Sequence, residues 1–460
     1  MRIRLQGHEL HIRLILLWIT ESLAVVASCW LACASLPGGG NDEMQLVHAA
    51  VYGGCIMASM VAMGLFTRRL RDRMAGILLR ITISVTSGTV VTGLALGPWV
   101  PDGFTLAELA AAAAMTWCML AVVRITAGWL ISEDVFRTRV MVYGAGVAAS
   151  RLLQLRRRAD QRGFRVIGFM PVGEAAPAVP AELLLREHAS ISQLVRVHDI
   201  DEIVVALDDR RQNLPLQELL DCRLRGTDCV ELATFLERET GRMYLDIVNP
   251  SWMIFGGGFR RDLLRRLSER CFDLLASSVL LLLASPLLLA VAIAIKLEEG
   301  WRAPVFYAQE RVGYAGHPFR LLKMRSMRVD AEGDGRARWA QANDSRVTRV
   351  GALIRRTRID ELPQLLAVLR GKMSFVGPRP ERPEFVEQLA ARIPYYRERH
   401  SVKPGLTGWA QLCYPYGASE QDAIEKLQYD LYYVKHHSLL FDFVILLQTV
   451  EVVLLGKGVR

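Results

Sequence analysis

Long apolar segments dominate the first third of the chain, and short polar connections separate them. Each segment has roughly 20 residues, the length that a helix needs to cross a hydrocarbon layer of about 30 Å. The pattern therefore predicts a bundle of four transmembrane helices within residues 1–135. The predicted spans are Leu14–Leu36, Leu46–Phe66, Ile77–Leu96 and Leu106–Ile131.

Charges in the connections predict the direction of these helices. Arginines precede the first span, fill the second connection and follow the fourth span, whereas the first and third connections have neither Lys nor Arg. Because basic residues favour the cytoplasmic side, we expect both ends of the bundle in the cytoplasm. The first span has no convincing cleavage site and is interpreted as a retained helix. The arginines are Arg2, Arg4, Arg13, Arg68, Arg69, Arg71, Arg73, Arg80, Arg137 and Arg139.

Residues 136–255 have the pattern of a Rossmann-like α/β domain. Short apolar strands at Val140–Tyr143, Arg165–Phe169 and Glu202–Leu207 alternate with helical patterns, which predicts a parallel sheet. The turn Gly144–Ala149 after the first strand matches the GxGxxA fingerprint of dinucleotide sites. No acidic residue ends the second strand to hold a ribose. The turn is therefore either a weak cofactor signal or only a tight strand-to-helix connection.

A third region, residues 256–460, begins with an unusual apolar segment. Leu274–Ile295 is long enough to span a membrane, but Ser285-Pro286 interrupts it and basic residues flank it on both sides. If both flanks are cytoplasmic, a re-entrant helix at about 273–297, bent at the proline, fits better than a straight span. A straight span remains the alternative. A final apolar helix, Leu439–Leu455, carries polar residues and is expected at the membrane interface.

The strongest candidate for chemistry is the acidic pair Asp360-Glu361. Leucines at helical spacing follow it, Pro363 is tolerated only in a first helical turn, and Gly371 fits the end of the helix. Asp360 is therefore expected at a helix N-terminus, where it could simply cap the helix. Alternatively, an ionised carboxylate among nearby arginines could attack phosphorus and form an acyl-phosphate.

Cations surround this pair in the sequence and favour the second interpretation. Arg355 precedes it, and Lys323 and Arg325 lie near a predicted strand upstream. The turn Gly377-Pro378-Arg379-Pro380 follows, and its prolines fix the backbone so that Arg379 is held in a preset direction, as a phosphate clamp requires. Phosphoryl transfer needs such neutralisation of charge, usually with a divalent ion.

Together these segments resemble the bacterial sugar transferase family, the monotopic polyprenyl-phosphate phosphoglycosyl transferases. The Ser-Pro break, the Lys323–Met327 stretch, the Asp360–Gln364 core, the Gly-Pro-Arg-Pro turn and the Pro404–Trp409 run occur in the family's order. The resemblance covers about residues 267–460 and implies that residues 256–460 form a mixed, mainly helical catalytic domain. Ser326 replaces a threonine common in the family. The preceding helices and α/β domain look like the family's large, multidomain subgroup of exopolysaccharide assembly.

The resemblance implies a mechanism and partners. It implies transfer of a sugar-1-phosphate from a UDP-sugar to undecaprenyl phosphate at the cytoplasmic face of a bacterial inner membrane. Asp360 would be the nucleophile, and Glu361 its partner, with Mg²⁺ held by this pair. Lys323, Arg325, Arg355 and Arg379 would bind phosphate or substrate, and Ser285-Pro286 would break the re-entrant membrane helix. Large members often dimerise, so a homodimer is possible.

Composition narrows the other possibilities. The chain has 460 residues and a net charge of +9, but no basic stripe with interleaved aromatic residues, so no nucleic-acid partner is expected. Eight scattered cysteines without CxxC spacing indicate neither zinc nor disulfides. Two other functions stay open: a membrane-anchored NAD-dependent enzyme that uses the Gly144–Ala149 turn, and a scaffold for which Asp360 is dispensable.

Overall fold

The chain divides into two compact units, Met1–Leu232 and Ala233–Arg460. The arginines predicted to orient the bundle at 67–73, the connection 97–104 and Arg260 and Arg261 lie outside the described residues. The computed structural model describes residues 2–5, 8–35, 42–66, 74–96, 105–130, 137–155, 163–173, 176–185, 190–208, 214–247, 263–328, 346–415, 417 and 419–454.

In the described part of residues 1–135, four helices occupy the region of the predicted membrane bundle. They are α1 Ile12–Ser35, α2 Asp42–Ala62, α3 Met74–Val91, continued by the π-helix Thr92–Leu96, and α4 Leu106–Leu130. Their bounds follow the predicted spans closely because long apolar runs leave little ambiguity about helix position. Parts of α1, α3 and α4 are long and apolar enough to cross a membrane, whereas the apolar part of α2, Gln45–Val61, is shorter. A hairpin, β1 Arg2–Leu5 and β2 His8–His11, precedes α1.

An ion pair between Arg124 and Glu21 is buried among these helices. Arg124 on α4 donates to Glu21 on α1 at 2.9 Å, and the same guanidinium donates to the Leu65 carbonyl after α2 at 3.1 Å. Glu21 is fully buried. An unpaired charge is costly in an apolar interior, and the ion pair avoids that cost. Its contacts also connect α1, α4 and the segment that follows α2.

A four-stranded parallel sheet follows in the same unit, as the alternating pattern predicts. Its strand order is β4 (Phe164–Met170), β3 (Thr138–Tyr143), β5 (Glu202–Val205) and β6 (Asp228–Glu231). Strands β3, β4 and β5 match the three predicted strands, and β6 was not predicted. The helix after the glycine turn is short, at four residues. The elements are β3 Thr138–Tyr143, α5 Val147–Ser150, β4 Phe164–Met170, the 3-10 helix Ala181–Leu183, α6 Ile191–Val197, β5 Glu202–Val205, α7 Leu216–Leu224 and β6 Asp228–Glu231.

The described residues of the second unit are mainly helical and include two small two-stranded sheets. Strands β7 (Phe306–Val312) and β8 (Pro318–Met324) pair antiparallel, and β9 (Ser374–Val376) and β10 (Gly405–Thr407) pair parallel. The elements are α8 Leu232–Thr240, α9 Leu263–Glu299, β7 Phe306–Val312, β8 Pro318–Met324, α10 Arg349–Arg356, α11 Leu365–Leu369, β9 Ser374–Val376, α12 Pro383–Arg392, β10 Gly405–Thr407, α13 Trp409–Cys413, α14 Glu420–His436 and α15 Leu439–Leu454. Three 3-10 helices, Tyr314–Gly316, Ile359–Gln364 and Tyr396–Ser401, lie between them.

The apolar segment predicted near the start of this unit forms one helix, α9, that continues through Pro286. A proline has no N–H, so Pro286 leaves the Leu282 carbonyl without its helical donor. The Ser285 hydroxyl donates to this carbonyl at 2.7 Å. The Ser285 hydroxyl therefore compensates locally for the N–H that Pro286 lacks.

Both ends of α9 contact the rest of the second unit, whereas its middle presents apolar side chains outward. Near its start, Asp273 accepts from the Ser374 hydroxyl at 3.0 Å. At its end, Glu298 accepts from the main-chain N–H groups of Arg349 at 2.7 Å and Val350 at 3.0 Å. The outward leucines Leu275, Leu282, Leu283 and Leu289 are 64–74% exposed.

Candidate active site

The acidic pair lies where the sequence predicts a helix to begin, in the 3-10 helix Ile359–Gln364. Arg358 precedes it with φ 60° and ψ 15°, a left-handed conformation. That conformation costs a non-glycine residue about 1–2 kcal/mol. It turns the chain sharply after α10, and the 3-10 helix then packs against β8. The turn at Arg358 therefore places Asp360 and Glu361 next to β8, the strand that carries Lys323.

Glu361 is the acidic residue that the cations contact. Its Oε1 lies 3.2 Å from Lys323 Nζ, 3.2 Å from Arg379 Nη2 and 3.5 Å from Arg358 Nη1. One carboxylate oxygen thus gathers side chains from β8, from the Gly-Pro-Arg-Pro turn and from the residue before the 3-10 helix. These cations are held close together because Glu361 offsets their mutual repulsion.

The electrostatic surroundings of Glu361 keep it ionised. Burial alone raises the pKa of this carboxyl group, but Arg379, Lys323 and Arg358 outweigh burial and lower the pKa to about 2. Burial also lowers the pKa of Lys323, with a further contribution from Arg379, while Glu361 opposes the change. Glu361 is therefore the anionic centre of a cluster in which three cationic side chains surround it.

Asp360 is arranged differently from its neighbour. It is 7% exposed, and its Oδ1 is buried without a hydrogen-bond partner among the described residues. Burial, followed by the charge of Glu361, raises the pKa of Asp360, while Lys323, Arg355 and Arg358 act against this rise. Arg358, not Asp360, occupies the N-cap position. Asp360 is thus a carboxylate near cations, and its Oδ1 accepts no hydrogen bond from the described part of the chain.

The structure brings together most of the predicted site residues. Lys323 and Arg379 contact Glu361 directly, and the charge of Arg355 acts on Asp360. Among the described residues, Arg325 forms no hydrogen bond or ion pair with the acidic pair; its main-chain N–H donates to Val305 O at 2.8 Å.

Arg358 belongs to this cluster but is absent from the predicted set. The signal was in the sequence, since residues three apart can meet across one turn of a helix. The sequence predicts arginines around Asp360, but Arg358 pairs with Glu361 instead. The left-handed backbone at Arg358 places it there, and sequence spacing does not reveal that conformation.

The turn Gly144–Ala149 of the first unit already holds an anion. Asp208 accepts from Val147 N at 3.0 Å and from Ala148 N at 2.7 Å. A dinucleotide phosphate uses the same kind of N–H groups at a helix N-terminus. Since a carboxylate of the chain takes these donors, the arrangement favours a tight structural turn over a cofactor site.

With this geometry established, comparison with known proteins defines the class of the chain. Residues 264–456 match the family described as bacterial sugar transferase. This range contains α9, the acidic pair and the cations that contact it. A relative that aligns over most of both chains supports the same assignment. The chain belongs to the bacterial sugar transferase family.

Individual relatives differ in their sugars. UDP-N-acetylgalactosamine-undecaprenyl-phosphate N-acetylgalactosaminephosphotransferase of Aeromonas hydrophila is 41% identical over 53% of this chain and 56% of its own length. UDP-glucose:undecaprenyl-phosphate glucose-1-phosphate transferase of Escherichia coli (strain K12) is 34% identical over 71% of this chain and 70% of its own length. Exopolysaccharide production protein ExoY of Rhizobium meliloti (strain 1021) is 39% identical over 42% of this chain and 88% of its own length.

Proposed function

We propose that this protein transfers a sugar-1-phosphate from a UDP-sugar to undecaprenyl phosphate, through a covalent intermediate on Asp360, as the first step of exopolysaccharide or other surface-glycan synthesis. The observation that carries the proposal is that Asp360 and Glu361, although adjacent, make different contacts. Glu361 is paired with cations, while Asp360 Oδ1 has no hydrogen-bond partner among the described residues. The names of the relatives describe the same reaction class and the same lipid acceptor, which supports the proposal.

The first half-reaction uses Asp360 as the nucleophile. One of its carboxylate oxygens bonds to the phosphorus next to the sugar. The bond from that phosphorus to the oxygen of UMP breaks, and UMP leaves with the electron pair. Lys323, Arg379 and Arg355 lie near enough to the pair to neutralise charge on the transferring phosphoryl group.

The second half-reaction returns the site to its starting state. An oxygen of undecaprenyl phosphate bonds to the same phosphorus, and the acyl-phosphate bond breaks with its electron pair returning to Asp360. The products are polyprenyl-diphosphate-sugar and the free carboxylate. Glu361 keeps its cations in place through both steps because its charge does not change.

The contacts of α9 support a re-entrant arrangement in the membrane. Asp273 near its start and Glu298 at its end both bond to the same unit, while the leucines between them are exposed. A helix that crossed the bilayer would place these two contacts on opposite sides of the membrane, whereas both contacts are made to one compact unit. The active-site unit would then lie at the cytoplasmic face of the inner membrane, where a lipid phosphate is within reach. A homodimer stays a prediction.

Magnesium fits this site through Asp360 rather than through both acidic residues. The three cationic contacts of Glu361 Oε1 disfavour it as a ligand. Mg²⁺ usually takes one or two carboxylates together with substrate phosphates. Among the described residues no three His, Cys, Asp or Glu side chains form a metal cluster, so the donor diphosphate would supply the other ligands. The ion would supply neutralisation of diphosphate charge.

The test measures release of UMP by the full chain in nanodiscs. The protein is mixed with undecaprenyl phosphate, Mg²⁺ and a panel of UDP-sugars that includes UDP-glucose and UDP-N-acetylgalactosamine. We expect release with one donor class, and none from Asp360→Asn. Glu387→Gln is the matched control, because Glu387 is an exposed carboxylate on α12.

A second measurement tests the covalent step. Without lipid acceptor, the intact mass of wild type should increase by one sugar-phosphate, and the mass of Asp360→Asn should not change. If folded protein releases no UMP from any donor, the transferase proposal fails and a scaffold role replaces it. If UMP is released without any labelled protein, the covalent route fails but the overall reaction stands.

A further inference from the structure

The turn that carries Arg379 has few main-chain donors. Pro378 and Pro380 flank Arg379, and a proline has no N–H. The main chain of the turn must therefore be held largely through its carbonyl oxygens. Each carbonyl needs a donor from another part of the fold if it is to be fixed.

Two of these donors are arginine side chains. Arg399 Nη2 donates to Arg379 O at 3.1 Å, and Arg311 Nη1 donates to Pro380 O at 3.1 Å. Main-chain N–H groups hold the carbonyls on either side, from Gly405 to Pro378 at 3.0 Å and from Val312 to Glu381 at 2.9 Å. Four successive carbonyls are thus fixed, and the one at Arg379 depends on Arg399.

Arg399 is itself fixed from several directions. It is 5% exposed and lies in the 3-10 helix Tyr396–Ser401. Its guanidinium is 2.7 Å from the Asp430 carboxylate on α14 and donates to the Tyr396 hydroxyl at 2.9 Å. Asp430 is also buried, at 2% exposed. The planar guanidinium can hold all three partners at once because its donors point in fixed directions.

A buried ion pair of this kind rarely stabilises a protein more than apolar side chains of the same volume would. Its value is more readily explained by what it positions. The chain of contacts runs from Asp430 to Arg399, from Arg399 to the Arg379 carbonyl, and from the Arg379 side chain to Glu361.

We propose that Arg399, oriented by Asp430, is a positioning residue for the transfer reaction. It fixes the main chain of Arg379, so that the Arg379 guanidinium stays on Glu361 and faces the transferring phosphoryl group. Arg399 acts only through Arg379. The kinetic consequence rests on the proposed function, whereas the structural coupling between Arg399 and Glu361 does not.

The kinetic test is a double-mutant cycle with Arg379. Arg399→Lys keeps a charge beside Asp430 but lacks the planar set of donors. We expect kcat/KM for the UDP-sugar to fall about 10- to 100-fold, since small displacements of a positioning group have effects of this size. In the Arg379→Ala background the same change should alter kcat/KM less than about threefold, because coupled residues are not additive. Arg392→Lys, in an exposed pair with Glu420 at 3.0 Å, is the matched control and should behave like wild type.

The second readout does not need activity. Glu361→Gln should lower the melting temperature less in the Arg399→Lys background than in wild type, since Arg379 is then no longer held on Glu361. If Arg399→Lys does not fold, Tyr396→Phe removes one hydroxyl contact and should show a smaller, equally non-additive loss of kcat/KM. Independent, multiplicative effects of Arg399 and Arg379, or wild-type kinetics for folded Arg399→Lys, would overturn the inference. If wild type releases no UMP, only the transferase proposal fails. The structural coupling of Arg399 to Glu361 is refuted separately, if Glu361→Gln lowers the melting temperature equally in wild type and in Arg399→Lys.

Discussion

Neutralising the two adjacent carboxylates should change stability in opposite directions. The pKa of Glu361 is lowered from an ordinary 4.5 to about 2. A difference of about 2.5 pKa units, at 1.36 kcal/mol per unit, corresponds to about 3 kcal/mol of stabilisation at neutral pH. The side chain is only 19% exposed, so solvent screens these ion pairs weakly. Glu361→Gln should therefore lower the melting temperature at pH 7 by roughly 6–12 °C.

The ionised carboxylate of Asp360 has the opposite effect on stability. Its pKa is raised, mainly by burial, so its ionised form destabilises the folded protein at neutral pH. Asp360→Asn should raise the melting temperature at pH 7, and this gain should shrink as the pH falls. The stabilisation by Glu361 is fully present above about pH 4.5 and is lost as the pH falls toward 2.

The assay follows tryptophan fluorescence during heating of the full chain in detergent, at pH 7 and at lower pH. Glu387→Gln provides the baseline for removing an exposed carboxylate. The reasoning is refuted if Asp360→Asn and Glu361→Gln shift the melting temperature in the same direction at pH 7. It is also refuted if the loss caused by Glu361→Gln is no larger than that caused by Glu387→Gln.

Three further substitutions test contacts that support the fold. Arg270→Ala removes bonds to Val368 O at 2.7 Å and Leu369 O at 2.5 Å, and should reduce stability by about 1–3 kcal/mol, measured by denaturant unfolding. Glu298→Gln weakens the bonds to the start of α10 and should lower stability by about 1 kcal/mol in the same assay; an unchanged midpoint would contradict this. Asp208→Ala leaves the donors of the glycine turn unsatisfied, so limited proteolysis should cut the first unit faster, and equal rates would exclude the role assigned to Asp208.

The sequence predicts elements well where the local chemistry determines them. The apolar runs define α1 to α4, α9 and α15, because continuous hydrophobicity of this length suits only a few structures. Ser285 and Pro286 are adjacent, so the bond from Ser285 to the carbonyl that Pro286 releases can be anticipated. The start of a helix near Asp360 follows from Pro363 in the same way.

Contacts between distant parts of the chain could not be predicted in this way. Nothing in the sequence indicates that Asp208 bonds to the turn after β3, since the two lie about sixty residues apart. The spacing of Arg355 and Arg358 suggests cations around Asp360, but the left-handed Arg358 places the closest contacts on Glu361. The use of Arg399 to hold Arg379 depends on how three separate elements pack.

The two carboxylates solve different parts of one electrostatic problem. A site for phosphate needs several cations close together, and these cations repel one another before substrate arrives. Glu361 offsets that repulsion and stays ionised, because Lys323, Arg379 and Arg358 lower its pKa. If Asp360 made the same contacts, its electron pairs would be engaged and it would be a weaker nucleophile. Because Glu361 pairs with the cations, Asp360 lies near positive charge while its Oδ1 accepts no hydrogen bond from any described residue.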